Sequence, residues 1–336
     1  MSFPPRTLTG AISYCIALGV SYAAFTAVVE RYRAAQFTFY APQTRVMSTT
    51  KWTRAIAPGI NMPMLAFGTY RLRGETCRDA VRDALRCGFQ HVDTASVYGN
   101  ERDVGEALRA CHREVSERIF VTTKIAPSEM RSEEEAAAAI AGVNERLGRT
   151  PDLVLVHWPG RDKESPDSER HRDARRWTWR ALENALKMGQ CRAIGVSNYE
   201  LSHLRELLQF CDVKPAVNQI ELHARFPQTE LRAFCESVGV HVVGYSPLGV
   251  GALLDDDRVK AYAATIGLRP APALVRWTLS MGASVVVKSS VAERTEENFT
   301  AISDLDDDFV HEAAEKLETA FASERVKFCW NPSSVR

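Results

Sequence analysis

Short apolar runs alternate with amphipathic segments along most of the chain. The runs are Met64–Gly68, His91–Thr94, Ile119–Thr123, Leu153–His157, Ala193–Val196, Ala216–Gln219, His241–Tyr245 and Ser284–Val287. They are short and nearly continuous in Val, Ile and Leu, which is typical of parallel strands buried on both faces. The pattern therefore predicts eight buried strands.

The segments between these runs repeat apolar residues at helical spacing. Three such stripes are Trp179, Leu182 and Leu186; Leu201, Leu204, Leu207 and Leu208; and Leu231, Phe234, Cys235 and Val238. Several segments end in a glycine, as helices commonly do. Eight strand–helix repeats in one domain predict an α/β fold, the (β/α)₈ TIM barrel. The runner-up is a doubly wound sheet, which needs a glycine-rich dinucleotide turn after an early strand; Gly249-x-Gly251 comes late and lacks the third glycine.

Two features precede the repeats. The segments Trp52–Ile56 and Ile60–Met62 flank a turn signal, Ala57-Pro58-Gly59, and predict an N-terminal β-hairpin that closes the bottom of the barrel. Residues 10–29 carry no charge, so residues 1–46 are interpreted as a signal anchor, a transit peptide, or an extension upstream of a start at Met47. We expect an N-terminal extension over residues 1–46 and a barrel over residues 47–336, with a membrane partner only if residues 10–29 act as an anchor.

Composition excludes several classes of function. Lys plus Arg equals Asp plus Glu, 42 each, which gives no reason to expect a nucleic acid partner. The eight cysteines are scattered without zinc-ligand spacing, so we expect free thiols and no metal. The charged stretch at residues 161–176 is interpreted as a solvated loop after the fourth strand.

Four residues at strand ends point to chemistry: Asp93, Tyr98, Lys124 and His157. In a barrel, the C-terminal ends of successive strands meet at one rim, where functional residues lie. A nearby lysine ammonium would lower the pKa of a tyrosine, an aspartate would orient that lysine, and a histidine could bind a carbonyl oxygen. Such a set could protonate an oxyanion while a hydride arrives at carbon.

The sequence motifs resemble those of the aldo-keto reductases over roughly Lys51 to Pro332. The matching motifs are Gly68-Thr69, His91-Val92-Asp93-Thr94-Ala95 with Tyr98-Gly99-Asn100-Glu101, Thr123-Lys124, Val156-His157-Trp158-Pro159, Gly195-Val196-Ser197-Asn198, Asn218-Gln219, Tyr245-Ser246-Pro247-Leu248-Gly249, and Lys288-Ser289 with Arg294 and Glu297-Asn298. Each motif is weak alone, but their shared order and spacing are highly specific.

The resemblance implies a barrel that binds NADPH in extended form across the strand ends. It makes Tyr98 the general acid, tuned by Lys124 and Asp93, with His157 orienting the carbonyl. The implied cofactor contacts are Gly68, Thr69 and Asp93; Ser197, Asn198 and Gln219 on the carboxamide; Tyr245 stacked on the nicotinamide; Ser246 and Leu248 on the pyrophosphate; and Lys288, Ser289, Ser290, Arg294, Glu297 and Asn298 around the adenosine 2′-phosphate and adenine. The implied substrate contacts are Tyr70, Tyr98, His157 and Trp158.

Two departures from the family pattern concern the cofactor loop and the pocket. Val286-Val287-Lys288 stands where the family often has Ile-Pro-Lys, and Tyr70 stands at the usual tryptophan. The chain after Trp330 is short, from which we expect an open, permissive pocket. The resemblance predicts a monomeric, cytoplasmic NADPH-dependent reductase of small aldehydes and ketones; organelle targeting or membrane anchoring through residues 1–46 is the alternative location. Alternative functions are a specialised prostaglandin or quinone reductase, and a regulatory subunit similar to the potassium-channel beta subunits.

Overall fold

A computed structural model describes residues 49–335 of the chain. The strands are β1 Thr53–Ala57, β2 Ile60–Pro63, β3 Leu65–Gly68, β4 His91–Asp93, β5 Phe120–Ile125, β6 Leu153–Val156, β7 Ala193–Ser197, β8 Val217–Glu221, β9 His241–Tyr245 and β10 Ser284–Val287. The helices are α1 Gly74–Cys87, α2 Glu101–Arg109, α3 Arg113–Arg118, α4 Glu133–Leu147, α5 Arg170–Lys187, α6 Leu201–Phe210, α7 Thr229–Val238, α8 Asp257–Thr265, α9 Pro270–Ser280, α10 Ala292–Phe299 and α11 Asp307–Ala320.

Strands β3 to β10 form a closed parallel barrel in the order β10-β3-β4-β5-β6-β7-β8-β9. The barrel closes where Val285 pairs with Leu65 and Val287 pairs with Phe67. This confirms the predicted (β/α)₈ barrel and excludes the doubly wound sheet. All eight predicted strands are present with shifts of one or two residues at some ends, so Lys124 lies inside β5 instead of ending it.

The predicted hairpin is confirmed, and it packs on the N-terminal end of the barrel. β1 and β2 pair antiparallel, with Thr53 opposite Pro63. Met62 is fully buried in one apolar cluster with the strand residues Phe120 and Leu153. An apolar plug at this end leaves the carboxyl ends of the strands as the open rim.

The prediction of a solvated loop over residues 161–176 is wrong for its second half. Helix α5 begins at Arg170, and both His171 and Arg175 are buried. The Arg175 guanidinium donates to Glu206 at 2.8 Å and to the Pro159 carbonyl at 3.0 Å, so the charge is paired inside the fold. Because the partner lies on another helix, the local sequence does not reveal it. The run of charges therefore predicted only a solvated loop.

Three further expectations concern the N-terminal extension, membrane spans and the cysteines. The extension over residues 1–46 lies outside the described residues. Within residues 49–335, no helix combines the length and hydropathy required to cross a membrane. The cysteines found in this range, from Cys77 to Cys329, are all free thiols, as expected.

Candidate active site

A buried ion pair lies beneath the rim, between β4 and β5. The Lys124 side chain is only 1 % exposed, and its Nζ lies 2.5 Å from Asp93 Oδ1. The same ammonium donates to the Thr94 carbonyl at 2.9 Å. Burial lowers the pKa of Lys124, while the Asp93 carboxylate acts in the opposite direction. The pair therefore holds two charges in fixed positions out of water.

Two further side chains hold Asp93 in place. Gln219 Nε2 donates to Asp93 Oδ2 at 2.8 Å, and Thr69 Oγ1 donates to the Asp93 carbonyl at 3.0 Å. The resemblance implied that both residues contact cofactor. In this structure Gln219 reaches Asp93 across the barrel from β8, and Thr69 reaches it from the end of the neighbouring strand β3. One signal for the contact with Gln219 is present in the sequence, since Gln219 and Asp93 each stand at the end of a predicted strand.

Tyr98 and His157 lie above the ion pair. Tyr98 ends a short 3-10 turn, Ser96–Tyr98, that follows β4, and the Lys124 ammonium is 5.2 Å from its ring centroid. The rings of Tyr98 and His157 are 5.6 Å apart at an angle of 75°. Burial, together with the charge of Lys124, lowers the pKa of His157 well below its usual value, so the imidazole is neutral. Its buried Nδ1 has no hydrogen-bond partner among the described residues.

The expected lowering of the tyrosine pKa does not occur in this structure. Burial, and then the negative charge of Asp93, raise the pKa of Tyr98 well above its usual value. The Lys124 ammonium bonds directly to Asp93, and it does not overcome these two effects at Tyr98. Tyr98 is therefore a neutral phenol with a proton to donate.

A chain of hydrogen bonds joins the ends of β7, β8 and β9. Ser197 Oγ donates to the Gln219 carbonyl at 2.8 Å, and Asn198 Nδ2 donates to the His157 carbonyl at 3.0 Å. The Tyr245 hydroxyl donates to Asn198 Oδ1 at 2.7 Å. Asn198 adopts φ 62°, a left-handed conformation that asparagine tolerates better than most residues. Of the predicted cofactor residues, Asn198 is thus bonded to His157 directly and Tyr245 through Asn198.

A cavity of about 750 Å³ opens above these side chains. The predicted site residues that line it are Gly68, Tyr70, Asp93, Tyr98, His157, Ser197, Asn198, Gln219, Tyr245, Ser246, Leu248 and Lys288. Those that do not line it are Thr69, Lys124, Trp158, Ser289, Ser290, Arg294, Glu297 and Asn298. The cavity thus extends from the tyrosine to the end of β10, as a dinucleotide in extended form would require.

The groups expected around a 2′-phosphate lie at and beyond the β10 end of the cavity. Lys288 and Arg294 are both exposed, and neither forms an ion pair within residues 49–335. Asn298 is buried, and its Oδ1 has no hydrogen-bond partner in that range. Glu297 instead pairs with Arg269 at 3.3 Å, and Ser289 Oγ bonds to the backbone of Val291. Two free cations and one unsatisfied amide oxygen fit a phosphate and a polar base.

Sequence reasoning missed one wall of the cavity. Phe328, Cys329 and Trp330, from the C-terminal segment, line it beside Tyr70 and Tyr98. The expectation of an open pocket considered only the few residues after Trp330 and overlooked these three. No local pattern marks them, because they lie in irregular chain after the last helix.

The comparisons with known proteins agree with this architecture. The sequence model of the Aldo/keto reductase family matches residues 64–318. A glyoxal reductase of Bacillus subtilis is 35% identical over 83% of this chain and 96% of its own. A 9,11-endoperoxide prostaglandin H2 reductase of Trypanosoma cruzi is 37% identical over 71% of this chain and 82% of its own.

Solved structures show the same likeness. A mutant of Gox0644 in complex with NADPH superposes with a TM-score of 0.74 and is 30% identical, covering 84% of this chain and 98% of that one. A Bombyx mori aldo-keto reductase in complex with NADP has a TM-score of 0.69 and is 27% identical, covering 79% and 92%. The chain therefore belongs to the aldo/keto reductase family and is an NADP(H)-dependent oxidoreductase.

Proposed function

We propose that this enzyme reduces aldehydes and ketones to alcohols with NADPH, and that Tyr98 is the general acid. One observation carries the proposal: a neutral phenol and a neutral imidazole face one cavity above a buried Lys124–Asp93 pair. A carbonyl oxygen needs two hydrogen-bond donors and a proton when negative charge develops on it. Tyr98 and His157 supply these groups.

Each protein group has a distinct task in the proposed reaction. The bound cofactor supplies the hydride that reduces the carbonyl carbon. The Tyr98 hydroxyl donates its proton to the carbonyl oxygen, and a neutral His157 donates an N–H to the same oxygen. Lys124 and Asp93 fix the field beneath Tyr98 without contacting substrate, since both side chains are nearly fully buried.

We assign the phosphate-recognising role to Lys288 and Arg294. Both cations are free to bind a phosphate monoester, and an arginine can bind it through two parallel hydrogen bonds. Asn298 Oδ1 can accept a hydrogen bond from the adenine amino group. Ser197, Asn198 and Tyr245 lie near His157, where the nicotinamide end must reach the substrate.

The alternative functions are less favoured. One relative is named for prostaglandin H2, but others are named for glyoxal and for D-galacturonate, so the relatives point to no single substrate. The relatives named for an activity are named as reductases, which favours turnover over a regulatory role. We also propose that residues 47–336 are sufficient as the catalytic domain.

The test is the consumption of NADPH with a panel of carbonyl compounds. We expect turnover of at least one small aldehyde, a strong preference for NADPH over NADH, and formation of the matching alcohol by mass spectrometry. If purified protein bound NADPH but reduced no member of a panel covering aliphatic, aromatic and dicarbonyl compounds, the regulatory function would replace this proposal.

A further inference from the structure

The turn that carries Tyr98 lies between two anchored residues, Thr94 and Asn100. Thr94 Oγ1 donates a hydrogen bond to Asn100 Oδ1 at 2.7 Å, and Asn100 Nδ2 donates to two backbone carbonyls in the loop after β3. Between these residues, the 3-10 turn Ser96–Tyr98 lies at the surface, where its middle residue, Val97, is 56% exposed. The flanks of the turn are fixed, so the orientation of Tyr98 depends on what holds the turn itself.

One side-chain hydrogen bond joins this turn to another part of the fold. Ser96 Oγ donates to Glu129 Oε2 at 2.5 Å, a short bond of the kind that hydroxyls form with carboxylates. The same carboxylate oxygen accepts a hydrogen bond from Ala126 N at 2.7 Å. Among the described residues, no other side chain of the turn forms a hydrogen bond. Neither Ser96 nor Glu129 lines the cavity, so this contact lies outside the space open to a substrate.

The segment that carries Glu129 is itself firmly held. It follows β5 as a short 3-10 turn, Pro127–Glu129, and the next residue, Met130, is buried. Trp177 Nε1, from α5, donates to the Met130 carbonyl at 2.9 Å. Asp162 N, from the loop after β6, donates to the Pro127 carbonyl at 3.3 Å. Glu129 therefore offers a fixed acceptor to the neighbouring turn.

The end of β5 supports three groups of the candidate active site. Lys124 lies within β5, and His157 N donates to the Ile125 carbonyl at 3.1 Å. The turn that carries Tyr98 reaches the same region through the carboxylate of Glu129. The backbone thus holds the lysine and the histidine, whereas a side-chain bond holds the tyrosine. A change at Glu129 should therefore affect Tyr98 and leave the other two groups in place.

We propose that Glu129 is a positioning residue that orients Tyr98 toward the substrate carbonyl. The inference rests on the proposed role of Tyr98 as the general acid. Proton transfer depends steeply on the position of the donor, and a displacement of about 1 Å can slow a reaction about a hundredfold. Without the bond to Glu129, the turn would still carry Tyr98 into the cavity but would hold it less firmly. Glu129 thus acts through Ser96 and contacts neither the cofactor nor the substrate.

The test measures the chemical step in a single turnover, after rapid mixing of the enzyme–NADPH complex with the best aldehyde substrate of the panel. Glu129→Ala removes the acceptor and should slow this step about tenfold, with the dissociation constant for NADPH changed less than about twofold. Glu129→Gln keeps a carbonyl oxygen that can accept from both Ser96 Oγ and Ala126 N, so it should restore most of the rate. An equal loss in both variants would assign the effect to charge and overturn the positioning role.

Two serine variants test the same contact from its other side. Ser96→Ala removes the donor, leaves the bond from Ala126 N intact, and should also slow the chemical step; it carries the test if Glu129→Ala does not fold. The double variant should be no slower than Glu129→Ala, because both changes break one bond, and losses that multiply would contradict this. Ser132→Ala is the matched control. It removes the side chain that accepts Glu135 N at the start of α4, so it should lower the melting temperature without slowing the step.

A second readout follows the turn without any turnover. Tyr98 N donates to the Ala95 carbonyl and Gly99 N donates to the Ser96 carbonyl, both at 3.0 Å. Hydrogen exchange of these two amides, measured by mass spectrometry, should be faster in Glu129→Ala than in the wild type, Glu129→Gln or Ser132→Ala. Equal exchange in all four proteins would show that the carboxylate does not hold the turn, and would overturn the inference.

The results separate this inference from the proposed function. A wild type that reduces no aldehyde contradicts carbonyl reduction, and a Tyr98→Phe variant as fast as the wild type contradicts the assignment of the acid; either result also removes the premise of this inference. A wild type that depends on Tyr98, combined with unchanged single-turnover rates in both Glu129→Ala and Ser96→Ala, contradicts the positioning role of Glu129 alone.

Discussion

Two histidines at opposite ends of the barrel show how its two ends differ. His91 begins β4 near the hairpin, and both of its ring nitrogens are paired: Nδ1 donates to the Pro63 carbonyl at 3.0 Å, and Nε2 accepts from Thr122 Oγ1 at 2.8 Å. His157 follows β6 at the rim, and its Nδ1 has no partner within residues 49–335. Burial lowers the pKa of both imidazoles, so both are neutral. Charge state therefore does not distinguish them. Hydrogen-bond satisfaction does, and so does exposure, since His91 is buried and His157 is half-buried.

The same difference extends to the residues around each histidine. At the bottom, His91 lies in an apolar setting, with its ring 4.8 Å from Phe120, and its bonds tie the hairpin to the barrel. At the rim, His157 faces a cavity beside an ion pair that buries two charges. Unpaired polar atoms and buried charges cost stability, so an unpaired imidazole nitrogen and a buried ion pair beside an open cavity indicate where the chemistry occurs.

The largest expected effect is at the rim. Tyr98→Phe removes the proton donor and should lower kcat about a hundredfold or more, while NADPH binding and melting temperature stay close to wild type. Fluorescence titration of the cofactor and NADPH consumption measure the two quantities. Tyr262→Phe is the matched control, because the buried Tyr262 hydroxyl has no partner in the described part of the chain. Near-normal turnover in Tyr98→Phe would assign the acid to another group.

A smaller effect is expected at the bottom, and on stability instead of turnover. His91→Ala leaves the Pro63 carbonyl and the Thr122 hydroxyl unpaired and opens a small cavity. We expect a loss of about 2–4 kcal/mol in the free energy of unfolding, with kcat almost unchanged. Urea denaturation measures the first and NADPH consumption the second. His157→Ala should give the reverse pattern, and if both variants lost only stability the contrast between the two histidines would not hold.

Much of the fold and of the site at the rim could be predicted from the sequence. The periodicity of buried strands gave the barrel, the Ala57-Pro58-Gly59 turn gave the hairpin, and the strand ends gave Asp93, Tyr98, Lys124 and His157. Each of these signals comes from residues that are close together in the chain, so a single sequence is enough to detect it. The location in the cell and a monomeric state stay predictions.

The parts that sequence reasoning missed depend on long-range contacts. Glu221 meets Phe328 across more than a hundred residues, and Gln219 meets Asp93 across a similar separation. The raised pKa of Tyr98 likewise arises from how the fold buries the phenol beside Asp93. Neither periodicity nor spacing indicates which residue, distant in the chain, a side chain will contact. These features therefore required the structure.

Two exposed arginines extend the comparison to cofactor choice. Arg294→Ala should weaken NADPH binding by about 1.5–3 kcal/mol, the scale of a hydrogen bond to a charged group, and barely affect NADH. Arg54→Ala removes an exposed arginine from β1 at the bottom and should change neither cofactor. Dissociation constants for both cofactors measure the effect. Equal losses for NADPH and NADH in Arg294→Ala would move the phosphate site elsewhere.

The smallest expected effect is that of removing residues 1–46. The barrel takes its eight strands from Leu65–Val287, and the plug at its bottom comes from the hairpin at Thr53–Pro63. Met62 is buried in the apolar cluster at this end, and His91 bonds the Pro63 carbonyl of the hairpin. The hairpin therefore already covers the bottom of the barrel. A chain that begins at Met47 should therefore fold cooperatively and reduce aldehydes with NADPH at an unchanged kcat, as tested by thermal melting and turnover. If it were insoluble or inactive while the full chain worked, earlier residues would have to complete the bottom of the barrel, and the boundary at Met47 would be wrong.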